Sequence, residues 1–309
     1  MTKIDLINGF LGSGKTTFIR YLLPWLSRRG ERVAVVENEF GSAGIDTAIL
    51  AAAGAQVTEL AGGCICCGQK VNFCHLLCEL CGSGDWERIL VEPSGVFNCD
   101  DFLDIVSQED VQTHGRLNTI MTVLAPADLT AEGARRELLY SQLHSSGAIL
   151  LSQRDGPTDG MAGQVRGWVS ELLSSYGPKQ AYSGPIIDVP WEALDDRQIS
   201  ALLEADWNHR EHLRSHLDHS RFAQSLMLWP RPVTSPEALR AALAQAVDGS
   251  CGTVYRIKGC AEGIDGTLWQ VNATPTALSV APIDSWNGGR VLNVIGSGLD
   301  RTKLHKLLK

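Results

Sequence analysis

Apolar residues fall along this chain in two rhythms. Short runs bounded by turn residues, KIDLING, RVAVVEN, QVTEL, RILVEPSG, NTIMTVLAP and GAILLSQRD, read as strands. Between them lie stretches with helical spacing, such as TTFIRYLLPWLSRRG, in which Pro24 predicts a kink. Strands alternating with helices predict a mostly parallel sheet joined by crossovers over residues 1–206. The character changes near residue 207, where DWNHREHLRSHLDHSRF is polar and rich in histidine and predicts a linker helix over 207–221. Beyond it SLMLWPRP, GTVYRIKG, GTLWQVNA, TALSVAPI and RVLNVIG predict strands, with helices at SPEALRAALAQAV and DRTKLHKLLK. Residues 222–309 thus predict a smaller α+β domain of ferredoxin-like type.

Composition narrows the classes. The chain has 309 residues, enough for two domains, with 44% hydrophobic and 20% charged residues as in an ordinary globular protein. A formal charge of -8 and a pI of about 5.5 exclude the basic face that non-specific nucleic-acid binding needs. No run approaches the roughly eighteen apolar residues of a membrane span. MTKIDLINGF lacks the apolar stretch of a signal peptide, so the expectation is a cytoplasmic chain with neither membrane nor nucleic acid as partner. Of nine cysteines, six fall between Cys64 and Cys81. In a reducing compartment such clustering favours metal binding or catalysis over disulfides.

GFLGSGKTT supplies the phosphate-loop pattern with Gly9, Gly14, Lys15 and Thr16, between an opening strand and a helix. Backbone N–H groups of Gly9, Gly12, Ser13, Gly14 and Thr17 would line the phosphates, aided by the positive end of the helix. Lys15 would reach the β- and γ-phosphates, and the Thr16 hydroxyl would ligate magnesium. ILVEPSG reads as the second half of that site. Glu92, at a strand end, would hold magnesium through water, and Gly95 would let the backbone approach the γ-phosphate. The expected fold is therefore α/β, a P-loop NTPase domain followed by the smaller α+β domain.

ELAGGCICCG packs Cys64, Cys66 and Cys67 into four positions. Thiolates are soft ligands that select zinc, copper(I) and similar ions over magnesium or calcium. Three of them leave a tetrahedral site one ligand short, open to water, exchange or a partner's ligand. All three converge only if the segment turns, which its glycines permit; the alternative is cysteine as a small buried hydrophobe. Cys74, Cys78 and Cys81 are spaced to share one helix face beside Phe73, Leu77 and Leu80, and read equally as core or as auxiliary thiols. His209, His212, His216 and His219 hold half of the eight histidines in a helical spacing, a chelating face or a solvated linker. Arg210, Arg214 and Arg221 oppose cation loading there.

In order and spacing, GFLGSGKTT, VVENEFGSAGID, GGCICC and LVEPSG resemble the CobW-type P-loop GTPases, relatives of the nickel-enzyme maturation GTPases. YRIKG, LWQV, Trp286 and VLNVIGSGLD extend the resemblance through the tail. It implies a GTP-hydrolysing metallochaperone or insertase that carries zinc, cobalt or nickel, zinc foremost, to a client metalloprotein docking on the C-terminal domain. Asn38, Glu39, Gly41 and Asp46 match the first switch, and Cys64, Cys66 and Cys67 the metal motif. Gly62 replaces the asparagine common before the first cysteine, and Ser42 replaces an acidic residue found in some relatives. The base-reading pattern N-K-x-D or T-K-x-D is SQRD here. Asp155 can still accept from guanine, whereas Gln153 lacks the lysine stem that covers the base.

GTP, magnesium and a transition metal are thus the expected cofactors, with slow intrinsic turnover and room for a nucleotide-dependent dimer. Two rival readings stand beside this one. The first is a passive metal store or sensor with a regulatory nucleotide site; the second is an ATP-using P-loop enzyme with structural thiols.

Overall fold

The computed structural model describes residues 1–37, 56–59, 70–152, 158–209, 224–284 and 289–308. They belong to two compact units, the second beginning after His209.

The first unit runs β1 (Thr2–Asn8), α1 (Lys15–Arg28), β2 (Val33–Glu37), β3 (Gln56–Glu59) and α2 (Lys70–Gly82). It continues with β4 (Arg88–Glu92), α3 (Cys99–Val106), the single turn α4 (Glu109–Gln112), β5 (Gly115–Leu124) and α5 (Gly133–Leu143). β6 (Ala148–Leu151), α6 (Ala162–Tyr176), β7 (Ile186–Ile187) and α7 (Asp196–Leu203) complete it. The seven strands take the order β3-β2-β4-β1-β5-β6-β7, with every recorded pairing parallel.

Strand alternation divides the apolar residues between two faces. Ile7, Val35, Leu90, Val123 and Leu150 pack on Phe18, Ile19 and Leu22 of α1 and on Ile199 and Leu202 of α7. Leu6, Val36, Val91 and Ile120 face Phe73 and Leu77 of α2 and Phe102 and Ile105 of α3. Further along that second face, Leu124, Ile149 and Leu151 meet Leu139 and Leu143 of α5 and Val165 and Val169 of α6. The sheet is therefore doubly wound. α1 continues past Pro24, which lies on the exposed face, where water can serve the carbonyl of the turn before it.

The second unit contains β8 (Gln224–Leu228), α8 (Pro236–Val247), β9 (Thr253–Glu262), β10 (Leu268–Thr274), β11 (Ala277–Ile283), β12 (Leu292–Ser297) and α9 (Arg301–Leu308). Its antiparallel sheet has the order β11-β10-β9-β12-β8. Leu239 and Leu243 of α8 and Leu304 and Leu308 of α9 cover it through Ile257, Val271, Val280 and Val294. β8, α8 and β9 form a split β-α-β unit with β12 inserted between the strands. That is the ferredoxin-like half; the rest is the meander β9-β10-β11 and a closing helix rather than a second split unit.

The linker helix expected from residue 207 needs correction. Trp207, Asn208 and His209 are not helical and belong to the first unit. Trp207 packs against the α2–α3 side of the core, and the Asn208 amide donates to the His144 carbonyl at 2.7 Å. A half-buried ring and a satisfied amide hold this stretch down; the remaining residues of that helix, 210–221, lie outside the described residues.

At the N-terminal edge of the first sheet Arg88 is buried, donating to Asp5 and, at 2.7 Å, to Glu31. Asn118 adds a bond to Asp5 at 2.8 Å. Breaking such a pair on one side strands a buried charge. Arg88→Met alone is expected to destabilise the chain by about 3–5 kcal/mol in urea unfolding, and Arg88→Met with Asp5→Leu by distinctly less.

Candidate nucleotide and metal site

In parallel pairing all C-terminal strand ends share one edge, and β1 lies where the connections diverge to either side, the usual place for a ligand in such sheets. The loop from Gly9 to Gly14 leaves β1 there. Gly9, Gly12 and Gly14 all have positive φ, and Gly14, at φ 108°, opens α1. A Cβ on Gly14 would stand 2.7 Å from the Trp191 ring, so this position is closed to other residues on two counts. The Lys15 ammonium is buried within the loop and donates to the Gly9 carbonyl at 3.0 Å and to that of Phe10 at 3.4 Å. Ser13 is buried, whereas Thr17 faces solvent on the first turn of α1.

The second arm follows β4. The Thr16 hydroxyl donates to Glu92 at 2.8 Å, so the two predicted magnesium residues meet directly. A hydroxyl beside a carboxylate is an all-oxygen donor set suited to a hard cation. Gly95 lies against the Leu11 backbone, where a Cβ would overlap the Leu11 amide nitrogen. Glu37, which pattern reading passed over, ends β2 in register with Glu92, and both are buried. The parallel endings VVE and LVE were the available signal.

Three further residues of this site were also missed. Asn8 accepts from the Gly9 amide at 2.7 Å and donates to the Gln142 carbonyl at 3.1 Å. The Gln142 side chain donates to the Gly95 carbonyl at 3.1 Å. Trp191 packs edge-on to Phe18 and Tyr21 beside the loop. On the loop's other flank the Arg135 guanidinium covers the Phe10 ring at 4.4 Å and is anchored on buried Asp128. Linear spacing does not announce the contacts from Gln142 to Asn8 and Gly95 or from Trp191 to Phe18 and Tyr21, since they join segments far apart in sequence.

Asn38, Glu39, Gly41, Asp46, Cys64, Cys66, Cys67, Asp155, His212, His216 and His219 lie outside the described residues. Ser152, the first residue of SQRD, is buried near Gly14. Among the described residues, no group of three or more histidine, cysteine, aspartate or glutamate side chains could hold a metal ion. Cys74, Cys78 and Cys81 do share α2, but not as a metal trio. Cys81 sits in the core, where burial pushes its thiol up to about 11. Cys74 donates to the Gln108 carbonyl oxygen at 3.2 Å, and Cys78, raised by burial, bonds to Cys74. The exposed His209 ring stacks on Trp207 at 3.8 Å between centroids and lies 3.2 Å from Asp206.

A glycine-rich cradle at this edge of such a sheet, with a lysine inside it and a hydroxyl–carboxylate pair at its mouth, defines a P-loop nucleotide-binding domain. The model for the CobW/HypB/UreG nucleotide-binding domain matches residues 3–174, and the chain belongs to that family of P-loop GTPases. It is 33% identical over 208 residues to the zinc chaperone YeiR of Escherichia coli, covering 65% of this chain and 62% of that one. It is 30% identical over 184 residues to the zinc chaperone CobW of Pseudomonas aeruginosa, covering 49% and 48%. The chain thus matches less than two thirds of these relatives' length. Zn(II)-bound YjiA GTPase from E. coli superposes over 99% of this chain and 97% of that one, at 18% identity and a TM-score of 0.46. At that value the fold rests on the sheet order above and not on the superposition. Among the described residues no helix is long and apolar enough to cross a membrane.

Two outcomes test this geometry. Gly95→Ala forces the two arms apart and is expected to lower nucleotide affinity on the order of tenfold or more, measured by calorimetry, while the chain stays folded. At pH 8 only about one Cys81 thiol in a thousand is ionised, so iodoacetamide should leave it unlabelled in the folded chain and label it after denaturation, as read by peptide mass spectrometry.

Proposed function

We propose that this chain binds GTP with magnesium and hydrolyses it slowly. The nucleotide state would control its hold on a transition metal, zinc foremost, bound through Cys64, Cys66 and Cys67 for delivery to a client metalloprotein. The observation that carries this reading is the Thr16–Glu92 contact at the edge from which the thiol-bearing segment departs. β3 ends at Glu59 on that edge and α2 begins at Lys70, and the C-x-C-C lies in the chain between them. Membership of the family and the zinc-chaperone names of its relatives support the metal.

Each site residue has a role in this scheme. Lys15 neutralises the β- and γ-phosphates from within the loop, and the loop amides through Thr17 line them. Magnesium would be held by Thr16 directly and by Glu92, the latter through water, and would neutralise charge between the phosphates. Gly95 brings a backbone N–H to the γ-phosphate. Asn38, Glu39, Gly41 and Asp46 form the switch that this phosphate orders, and loss of the γ-phosphate releases it. Asp155 reads the guanine. The absence of an assigned water-positioning group is the reason for expecting slow turnover. The client docks on the C-terminal domain.

Steady phosphate release from GTP, lowered on the order of a hundredfold by Lys15→Ala, separates this reading from a passive metal store. Preference for GTP over ATP separates it from an ATP-using enzyme. If metal and GTP favour one state, zinc should tighten a non-hydrolysable GTP analogue by roughly fivefold or more, with the reciprocal effect on zinc. Equal affinities with and without zinc, or an unchanged effect in the Cys66→Ser variant, would remove the coupling.

A further inference from the structure

We propose that Gln142 is a positioning residue that ties the phosphate loop to the γ-phosphate arm, so that it acts on triphosphate recognition and barely on diphosphate. Its two ends serve the two arms. The backbone carbonyl accepts from Asn8, whose side chain in turn accepts from the Gly9 amide at the start of the loop. The side-chain amide donates to the carbonyl of Gly95. Thr122 adds a second donor to the same Gln142 carbonyl at 3.1 Å, locking the end of α5 against β5.

Neighbouring contacts show that α5 grips the whole stretch after Gly95. The Ser141 hydroxyl donates to Asn98 at 2.9 Å, and Asn98 caps α3 through the Asp100 amide at 3.0 Å. The Phe97 amide donates to Ser94 at 3.1 Å, closing a turn around Gly95. Gly95 is therefore held by a turn on one side, by Leu11 at its α-carbon and by Gln142 at its carbonyl. Removing the last of these lets the arm shift without dissolving the loop.

The chemistry of the side chain points the same way. Gln142 is fully buried, and its amide oxygen has no hydrogen-bond partner among the described residues. A half-satisfied amide is unfavourable in a core that a leucine or methionine would fill without penalty. What the glutamine adds over those residues is the one donor aimed at Gly95. A Cβ on Gly95 would strike Leu11, so the arms already touch, and the amide sets where along that contact they rest.

The proposal deepens the nucleotide reading above and rests on its assignment of Gly95 to the γ-phosphate. The full chain carrying Gln142→Met, close in volume and without a donor, is titrated with GDP and with a non-hydrolysable GTP analogue in magnesium. Analogue affinity is expected to fall on the order of tenfold, the scale of one lost hydrogen bond, while GDP affinity changes by less than about threefold. Gln142→Glu keeps the shape and donates only while protonated. Its analogue affinity should fall as rising pH ionises the carboxyl and recover as the pH is lowered, because a protonated carboxyl facing a carbonyl donates again. Asn8→Ala, which frees the Gly9 amide and the Gln142 backbone carbonyl but leaves the side-chain bond from Gln142 to Gly95, should weaken both ligands together.

Parallel loss of GDP and analogue in a folded Gln142 variant, or no change in either, overturns the proposal. The same titrations are run with adenine nucleotides. A wild-type chain preferring ATP removes the GTP reading and leaves the triphosphate-to-diphosphate ratio to judge Gln142 separately.

Discussion

Parallel pairing dictates the chemistry of the first unit. Because the strands point one way, the loop after β1, the arm after β4 and the ends of β2 and β3 must emerge at a common edge. No other arrangement of these segments would let Thr16 reach Glu92 across 76 positions of sequence. The opposite edge carries the buried Arg88–Asp5–Glu31 cluster, so the ionic and the nucleotide-binding chemistry occupy opposite ends of one sheet. What holds the functional edge is mostly backbone. Glycines permit the approach, and short polar side chains from α5 and β1 keep the approaching segments in place.

Local pattern carried much of this to the reader of the sequence. The β1–loop–α1 passage was legible because the phosphate-loop pattern and the apolar periodicity agree with each other there. The other strands, except the two-residue β7, were legible as short apolar runs bounded by turn residues. Glu92 and Gly95 drew notice because the apolar run Ile89–Val91 leads directly into them. Asn8, Gln142 and Trp191 did not, since each matters through a contact that only the folded topology creates. Gln142 in particular sits in a helix of ordinary composition, and its partner lies 47 positions away. Residues 207–209 were misread as helical because local polarity outweighed the packing of the half-buried Trp207 ring.

The cysteines of α2 show how a helical spacing overstates chemistry. Their repeat does bring three sulfurs to one side of a helix, yet a helix face grades from core to solvent. Cys81 lies at the inner end, pressed near Gly115, while Cys74 and Cys78 satisfy each other and Gln108. At Cys78 and Cys81 burial favours the protonated thiol, which is a poor metal ligand. The reading of Cys64, Cys66 and Cys67 as an open soft-metal site does not draw on this helix and stands on ligand chemistry and family membership.

Trp191 gives the molecule a property unrelated to catalysis. Its indole lies against the glycine that begins α1, with the ring nitrogen sheltered and lacking an acceptor among the described residues. A backbone rotation at Gly14 would change what that ring meets, which makes Trp191, one tryptophan of eight, an intrinsic fluorophore placed beside the cradle.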